Sequence, residues 1–274
     1  MDNLTNFGDF NKETIIKNHV YSVVSSFAER FKSRHIGQVD DPNGIINMKI
    51  HNGFIAALSK EIQYYTALVR SLDSSLGNML EKLAINIAKN FYKVEKRVIG
   101  PLYKEQTKQI AYLLEQYKRR IKTPQVDDYQ ILRKSQEGET ETRRHESDYY
   151  LIDGKTGEHN LIELKIGGDL DNKKARAEKE AILEQFAILS NTLSPEKKIK
   201  IYFATAYNRY GEDRPWKQER VRQFFADDEL LIGKDFWNFI CKDNNGYDIV
   251  LEAYKDKANL ILDACEDIKD TYLE

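Results

Sequence analysis

The sequence predicts an α/β fold, in which a mixed β-sheet is flanked by helices and preceded by a large helical N-terminal part. Apolar residues recur at helical spacing along much of the first 125 residues. Two apolar strands joined by a glycine-containing turn follow at 147–166, and a third strand is expected at 198–206. A helical pattern at 172–192 separates these strands, and this order of elements is typical of α/β domains.

The N-terminal part is predicted to consist of several amphipathic helices. The apolar spacing indicates helices over 12–32, over 54–70, from near Ser74 or Ser75 onward, and from Gly100-Pro101 to about Lys122. The third of these is expected to continue to Val94, the last residue of its apolar stripe. The polar segment 123–146 is predicted to be a loop or a weak edge strand.

The C-terminal part is predicted to continue the alternation of strands and helices. The mixed apolar run of 198–206 favours a buried position in the sheet. The segment after it, 207–223, is polar, aromatic and basic at once. A small helix is expected to begin near Asp235, and a long amphipathic helix is expected at 248–272.

Composition excludes several classes of protein. The chain is 31% charged and 41% hydrophobic, with a net charge of −2, and contains no run of about 18 apolar residues that would span a membrane. Its first residues lack the basic and apolar regions of a signal peptide. The two cysteines, Cys241 and Cys265, make a disulfide framework improbable and fit a reducing, intracellular location.

Three charged residues stand out on the two joined strands, which are otherwise apolar. Asp148 lies on the first strand, and Glu163 and Lys165 lie on the second, two residues apart and therefore on one face. If the connecting loop has an even number of residues, Asp148 pairs opposite an odd-numbered residue, and its carboxylate shares that face. The sequence thus predicts that two acids and a lysine converge on one spot.

This combination suits metal-assisted hydrolysis of a phosphodiester. Two carboxylates can hold Mg²⁺, which keeps several waters, and the backbone carbonyl of Leu164 would be a further oxygen ligand. The cation would lower the pKa of a bound water, and Lys165 would orient or deprotonate that water. An ordinary cross-strand ion pair of Lys165 with Asp148 or Glu163 explains the same three residues equally well.

The residues also carry a resemblance to a known superfamily. Asp148 followed fifteen positions later by Glu163-Leu164-Lys165 resembles the D…(D/E)-x-K signature of the PD-(D/E)XK nucleases, with Ser147 where the family name has Pro. Gly77-x-x-Leu80-Glu81 is similar to the helix that supplies an accessory acid in many members. The resemblance therefore implies a role for Glu81, whose alternative is a solvated helical glutamate.

Two downstream segments narrow this resemblance to type II restriction endonucleases. Residues 205–208 and 231–240 are similar to those enzymes, in particular to the TdeIII-type group, which is associated with cutting at GGNCC. The resemblance implies a single restriction-endonuclease-like domain over 1–274. Within it, 1–125 would be the mainly helical part, and 146–274 would be the catalytic core with the C-terminal helices.

The resemblance also implies substrates and partners. The expected activity is Mg²⁺-dependent cleavage of double-stranded DNA at a short palindrome, leaving 5′-phosphates, by a homodimer located in the cytoplasm without membrane contact. A DNA methyltransferase acting on the same site is the expected companion. Phosphate contacts are expected from the start of the 172–192 helix, and base contacts from the segment after the 198–206 strand. The DNA-binding candidates are Lys173, Lys174, Arg176, Asn208, Arg209, Arg214, Lys217 and Arg220.

Two other functions are open on the sequence alone. One is a repair or junction-resolving nuclease on the same fold, which a preference for branched DNA would indicate. The other is a non-catalytic DNA-binding or interaction protein, in which Asp148 and Lys165 form a structural ion pair. Such a protein would show no cation-dependent cleavage, and Lys165→Ala would leave its function intact.

Overall fold

The computed structural model describes residues 5–134, 136 and 138–273, with side chains described from residue 11 onward. The chain divides into two units. The first contains the residues up to Ile87 together with those from Asp248 onward, and the second runs from Ala88 to Tyr247.

The described residues contain nine α-helices and five β-strands. In chain order the helices are α1 (Thr5–Ile36), α2 (Gly53–Ala56), α3 (Lys60–Ala88), α4 (Lys104–Lys118), α5 (Gln130–Lys134), α6 (Asn172–Thr192), α7 (Glu219–Arg222), α8 (Lys234–Cys241) and α9 (Gly246–Leu273). The strands are β1 (Lys93–Tyr103), β2 (Thr140–Ile152), β3 (His159–Leu164), β4 (Ile199–Thr205) and β5 (Leu230–Ile232). Short 3-10 turns cover Asn47–His51, Val126–Tyr129 and Asp227–Glu229.

The second unit is built on one mixed sheet with the strand order β1-β2-β3-β4-β5. β1, β2 and β3 are antiparallel neighbours, whereas β3, β4 and β5 run parallel. Parallel neighbours need a crossover connection, and α6 supplies it between β3 and β4. The predicted stripe of α6, which includes Ala175, Ile182 and Phe186, is buried. The predicted α/β fold with a mixed sheet is therefore confirmed.

The first unit is helical, and its long helices are joined by polar and aromatic contacts. On α1, Tyr21 donates a hydrogen bond of 2.9 Å from its hydroxyl to Asp256 Oδ2 on α9. On α9, the Tyr272 hydroxyl donates to the carbonyl oxygen of His35 at 2.8 Å, and its ring lies 6.1 Å from that of Tyr64 on α3. None of the described helices combines the length and the hydropathy that a membrane span requires.

Two sequence predictions for the N-terminal part were wrong. No break separates the helices expected at 54–70 and from Ser74 onward: one continuous helix, α3, begins at Lys60 and ends at Ala88 rather than at Val94, and residues 54–56 belong to the separate short helix α2. The residues after α3 form β1, where a helix end and a helix start were expected. This strand requires glycine at position 100, because a Cβ atom there would come within 2.8 Å of the Ile188 side chain on α6. Pro101 is accommodated because β1 is an edge strand.

The segment 123–146 is more regular than its polarity suggested. It contains α5, and from Thr140 onward it belongs to β2, which pairs with β1 from Tyr103–Thr140 to Lys93–Ile152. Residues 140–144 of this strand are exposed, so their side chains show no alternation of apolar and polar residues. The backbone pairing with β1, and not burial, makes this stretch a strand.

Candidate active site

The register of β2 and β3 brings the predicted site residues to one face of the sheet. Tyr149 lies opposite Ile162, and Ile152 lies opposite His159. Residues 153–158 connect the strands, an even number, as the site hypothesis requires. The same register extended by one residue places Asp148 opposite Glu163. Opposite residues of an antiparallel pair point to the same face.

The Asp148 carboxylate lies where β2 and β3 separate. The pairing ends at Tyr149 and Ile162, and beyond it the backbone N–H of Leu164 donates to Asp148 Oδ2 at 3.1 Å. This bond holds the carboxylate against the backbone between Glu163 and Lys165. The local structure is therefore a strand end at which a side chain replaces a backbone acceptor.

Lys165 lies between two carboxylates. Its Nζ donates to Glu163 Oε1 at 2.6 Å and lies 3.1 Å from Glu178 Oε1 on α6. Sequence analysis did not single out Glu178. Its spacing of three residues from Ala175 and four from Ile182 placed it beside the buried stripe of α6, and this was the signal available for finding it.

This cluster contains more acidic groups than basic groups. Burial raises the pKa of Glu163 to about 8, and the charge of Asp148 acts in the same direction, against the hydrogen bond from Lys165. Burial lowers the pKa of Lys165, but its bonds to Glu163 and Glu178 outweigh burial and hold that pKa above its ordinary value. Glu163 and Glu178 therefore share one ammonium group, and Asp148 adds a third acidic group next to Glu163, an arrangement that an added cation would relieve.

The donor atoms fit Mg²⁺. Within the described chain, neither Asp148 Oδ1 nor Glu163 Oε2 accepts a hydrogen bond, so both have lone pairs for a metal. The same described residues contain no group of three or more His, Cys, Asp or Glu side chains arranged for a metal. A cation on two carboxylates and the Leu164 carbonyl would keep several waters, as Mg²⁺ does.

The segment after β4 is held beside the end of β3. Gly168 has a positive φ of 63°, and a Cβ atom there would lie 2.6 Å from Thr205 Cγ2, so the turn requires glycine. The Tyr207 hydroxyl lies against Gly167, 2.9 Å from where a Cβ would stand. Arg209 forms a 2.7 Å ion pair with Asp169. These contacts bring the predicted DNA-binding segment to the strand that carries Glu163.

Asn208 organises this segment from within. Its Nδ2 donates to the Arg214 carbonyl at 2.7 Å, and its Oδ1 accepts from the backbone of Tyr210 at 3.0 Å. Its own backbone N–H donates to Glu212 Oε1 at 2.7 Å. Because Asn208 is buried and both its amide groups are bound, this placement favours a role in shaping the loop over direct reading of a base.

Most of the other predicted DNA-binding residues present their charges to solvent. Lys173 and Lys174 are exposed in the first turn of α6, and neither forms an ion pair with another described residue. Arg176 is half-buried and lies 3.9 Å from Glu115. Three further cations, in the segment after β4, are also exposed and form no ion pair with another described residue. They are Arg214, Lys217 and Arg220.

Glu81 is the one predicted catalytic residue outside the second unit. It lies in α3 of the first unit and is partly buried, whereas Asp148, Glu163 and Lys165 belong to the second unit. The residues that the structure brings together are therefore the three of the hairpin, joined by Glu178. The role of Glu81 stays a prediction.

The sheet order and the acids at the end of its hairpin place this chain among the restriction-endonuclease-like α/β proteins. A family model described as "Type II restriction endonuclease, HinfI" matches residues 11–258. Among the curated proteins and the solved structures, none matches this chain. The family match covers most of the sequence, so the protein belongs to the HinfI family of type II restriction endonucleases and is a DNA-cleaving hydrolase.

The match confirms the expected class of enzyme. The matched family is HinfI, and the match does not test the TdeIII-type resemblance or the sequence GGNCC. Type II restriction endonucleases generally depend on a divalent metal. DNA is therefore the substrate.

Proposed function

We propose that this protein hydrolyses both strands of DNA at a short palindromic sequence, with Mg²⁺ as cofactor, and leaves 5′-phosphates. The observation that carries the proposal is the cluster of Asp148, Glu163 and Lys165 where β2 and β3 separate. Strand periodicity predicts this cluster independently of any family resemblance. Membership of the HinfI family supports DNA as the molecule that is cut.

Each residue of the cluster has a distinct proposed role. Asp148 and Glu163, with the Leu164 carbonyl, hold the Mg²⁺ ion. When bound, the ion supplies charge neutralisation at the phosphodiester and acidity toward the attacking water. Lys165 donates from its ammonium group to orient that water and to offset the developing negative charge. Glu81 is proposed as an accessory acid that holds a second metal or orients the ligands of the first.

Glu178 is proposed as a positioning residue for Lys165. Glu163 has two roles in this proposal: it accepts a hydrogen bond from Lys165, and it is a metal ligand. Glu178 binds the same ammonium group at 3.1 Å from the helix that packs behind the strand. It can therefore keep Lys165 in place while Glu163 binds the cation.

A palindrome is matched by two symmetric subunits, each of which cuts one strand, so we propose a homodimer. Phosphate contacts are assigned to Lys173, Lys174 and Arg176 at the start of α6. Base or phosphate contacts are assigned to the segment held beside β3, through Arg209, Arg214, Lys217 and Arg220, with Asn208 shaping the loop. The first sequence to test is GGNCC, which the TdeIII-type resemblance suggests.

The biological setting follows from this activity. An enzyme that cuts an unmodified palindrome would also cut the genome of its own cell. We therefore propose a companion DNA methyltransferase that modifies the same sequence, and a cytoplasmic location for both proteins.

The test of the function is cleavage of a plasmid of known sequence. With Mg²⁺ present, the plasmid should be cut into defined fragments whose sequenced ends share one palindrome, and removal of the metal with EDTA should abolish cutting. Ends without a common sequence, or preference for branched DNA, would indicate a repair or junction nuclease. If DNA is bound but no divalent cation supports cleavage, the proposed chemistry is wrong.

The role of Glu178 makes a separate prediction. Glu178→Gln should lower kcat by roughly 10- to 100-fold, because Lys165 loses the carboxylate that positions it, while DNA affinity changes little. Glu178→Asp should retain part of the activity. The matched control is Glu180→Gln on the same helix, since Glu180 has no ion pair among the described residues. Equal losses in the Glu178 and Glu180 variants would contradict a positioning role.

A further inference from the structure

A cleft of about 470 Å³ lies between α1 and α3 of the first unit. Its apolar residues are buried, and its other residues are polar or positively charged. The residues that line it are Val23, Phe27, Arg30, Phe31 and Arg34 from α1, and Ser75, Asn78, Met79 and Lys82 from α3. We call it the α1–α3 cleft. Its volume is in the range of ligand-binding sites.

The α1–α3 cleft carries three positive charges. Arg30, Arg34 and Lys82 are exposed, and none of them forms an ion pair with another described residue. Among the described residues that line the cleft, none is acidic. The chain as a whole has slightly more acidic than basic residues, so three cations without an acid are a local departure from its composition. Such a concentration of one sign of charge attracts an anion.

Arg34 is held in one orientation by neutral groups. Its Nη2 donates to Ser71 Oγ at 2.9 Å and to Ser75 Oγ at 3.2 Å, and its guanidinium carbon lies 5.6 Å from the centre of the Phe31 ring. The serine hydroxyls orient the guanidinium without neutralising its charge. Within the described chain, Nε and Nη1 donate to no other residue, so they are available for an anion that enters the cleft.

A buried histidine fixes one of these serines. His35 is 1% exposed, and its Nδ1 lies 2.8 Å from the carbonyl oxygen of Phe31, while its Nε2 lies 3.0 Å from Ser71 Oγ. A carbonyl oxygen only accepts, so Nδ1 carries the proton, and Nε2 of the neutral ring accepts from the Ser71 hydroxyl. Burial lowers the pKa of His35, which favours this neutral ring. The hydrogen bonds therefore run in one direction, from Arg34 through Ser71 and His35 to the backbone of α1.

We propose that the α1–α3 cleft binds the sugar–phosphate backbone of DNA, with Arg34 on one phosphate and Arg30 and Lys82 on its neighbours. The planar fork of an arginine matches the oxygens of a phosphate, and an arginine oriented in advance loses less entropy on binding. The proposal goes beyond the proposed function, which assigns DNA contacts to the second unit alone. It requires neither the metal nor the catalytic cluster.

Two features favour a DNA strand over a small anion. Arg30 and Arg34 lie four residues apart on α1, about 6 Å along the helix. A duplex carries one negative charge for about every 1.7 Å of its axis, so a row of cations of this length meets several phosphates. The buried rings of Phe27 and Phe31 form an apolar floor that suits the carbons of deoxyribose. An inorganic phosphate ion would leave this floor in contact with water.

The salt dependence of binding to a short nonspecific duplex, measured without divalent cations, tests this proposal. Arg30→Gln/Lys82→Gln should weaken binding roughly 10-fold and lower the slope of log K against log salt concentration by about 2, because each lost phosphate contact removes about 0.9. The matched control is Arg70→Gln/Lys269→Gln, which removes two exposed cations of the first unit that lie outside the cleft and form no ion pair with another described residue. This control should keep the wild-type slope. An unchanged slope in the cleft variant, or equal losses in both variants, would overturn the proposal.

The role of the Arg34 network is tested by Ser71→Ala. This change keeps every charge, so the salt slope should stay close to that of the wild type, while the affinity for the duplex falls several-fold because Arg34 loses a hydrogen bond that orients it. Wild-type affinity in this variant would contradict the orientation of Arg34 by Ser71.

Titration with deoxyadenosine 5′-monophosphate distinguishes a DNA strand from a free nucleotide. The wild type should show no saturable binding at micromolar concentrations. Saturable binding that disappears in Arg30→Gln/Lys82→Gln, with DNA binding unchanged, would identify a nucleotide site and overturn the assignment to DNA. Because DNA binding is measured without metal, a protein that shows the expected change of slope but does not cut would contradict only the proposed function. A protein that cuts and shows no change of slope would contradict only this contact.

Discussion

Glu163→Gln and Lys165→Ala are each expected to lower the rate of Mg²⁺-dependent DNA cleavage by roughly a thousand-fold or more. The first change removes a carboxylate that is proposed to hold the cation. The second removes the ammonium group that lies 2.6 Å from Glu163 Oε1. Single-turnover cleavage of a short duplex measures both rates. Sequence-specific binding of the duplex should persist in both variants, since neither residue is assigned to base contacts.

The control for this experiment is a second Glu–Lys pair next to the same strand. Lys200 Nζ lies 3.1 Å from Glu158 Oε2, and Lys200 pairs with Asn160 at the start of β3 rather than at its end. Lys200→Ala and Glu158→Gln should leave cleavage unchanged. Wild-type cutting by either hairpin variant would mean that Glu163 and Lys165 form only a structural ion pair, the alternative that the sequence left open.

The hairpin could be predicted because its information is local. The two-residue spacing of Glu163 and Lys165 and the parity of the 153–158 loop decide the face of each side chain, whatever the rest of the chain does. Glu178 could not be assigned in the same way. Three glutamates lie on α6 between 178 and 184, and which of them meets Lys165 depends on how the crossover helix is rotated against the sheet.

The strand β1 escaped prediction for a different reason. Val98 and Leu102 are its buried residues, and they are four apart, a spacing that also suits a helix. Gly100 and Pro101 interrupt any alternation of apolar and polar residues. The strand forms because β2 supplies partners on both sides of an irregularity between Glu95 and Arg97, and because α6 approaches closely over Gly100. Both causes are tertiary, so the local sequence does not contain them.

Glu229→Gln is expected to lower the free energy of unfolding by about 3–5 kcal/mol, because it leaves a buried ammonium group without its carboxylate. Lys179 on α6 is fully buried, and its Nζ donates to Glu229 Oε2 at 2.6 Å and to the Tyr129 hydroxyl at 2.5 Å. The rings of Tyr129 and Phe225 lie 4.6 and 4.4 Å from the same nitrogen. Burial lowers the pKa of Lys179, and Glu229 opposes that effect by favouring the charged form. Urea denaturation measures the loss.

A matched control and a double variant separate charge burial from side-chain truncation. Asp227→Asn breaks the exposed 2.8 Å pair with Arg222 two residues away from Glu229, and should cost no more than about 1 kcal/mol. The double variant Lys179→Met/Glu229→Leu, which replaces the pair with apolar side chains, should recover most of the stability lost in Glu229→Gln. If the double variant is as unstable as the single one, desolvation of Lys179 is not the cause.

The buried pair also bears on the activity of the site, because Lys179 follows Glu178 directly in α6. Successive residues of a helix point about 100° apart, so fixing Lys179 against Glu229 in the core also fixes the rotation at which Glu178 meets Lys165. We therefore expect Glu229→Gln to lower kcat even at temperatures where the protein is still folded. The double variant, in which apolar packing restores the rotation of the helix, should regain activity together with stability. If its stability returns without its activity, the buried pair does more for Glu178 than hold the helix in place.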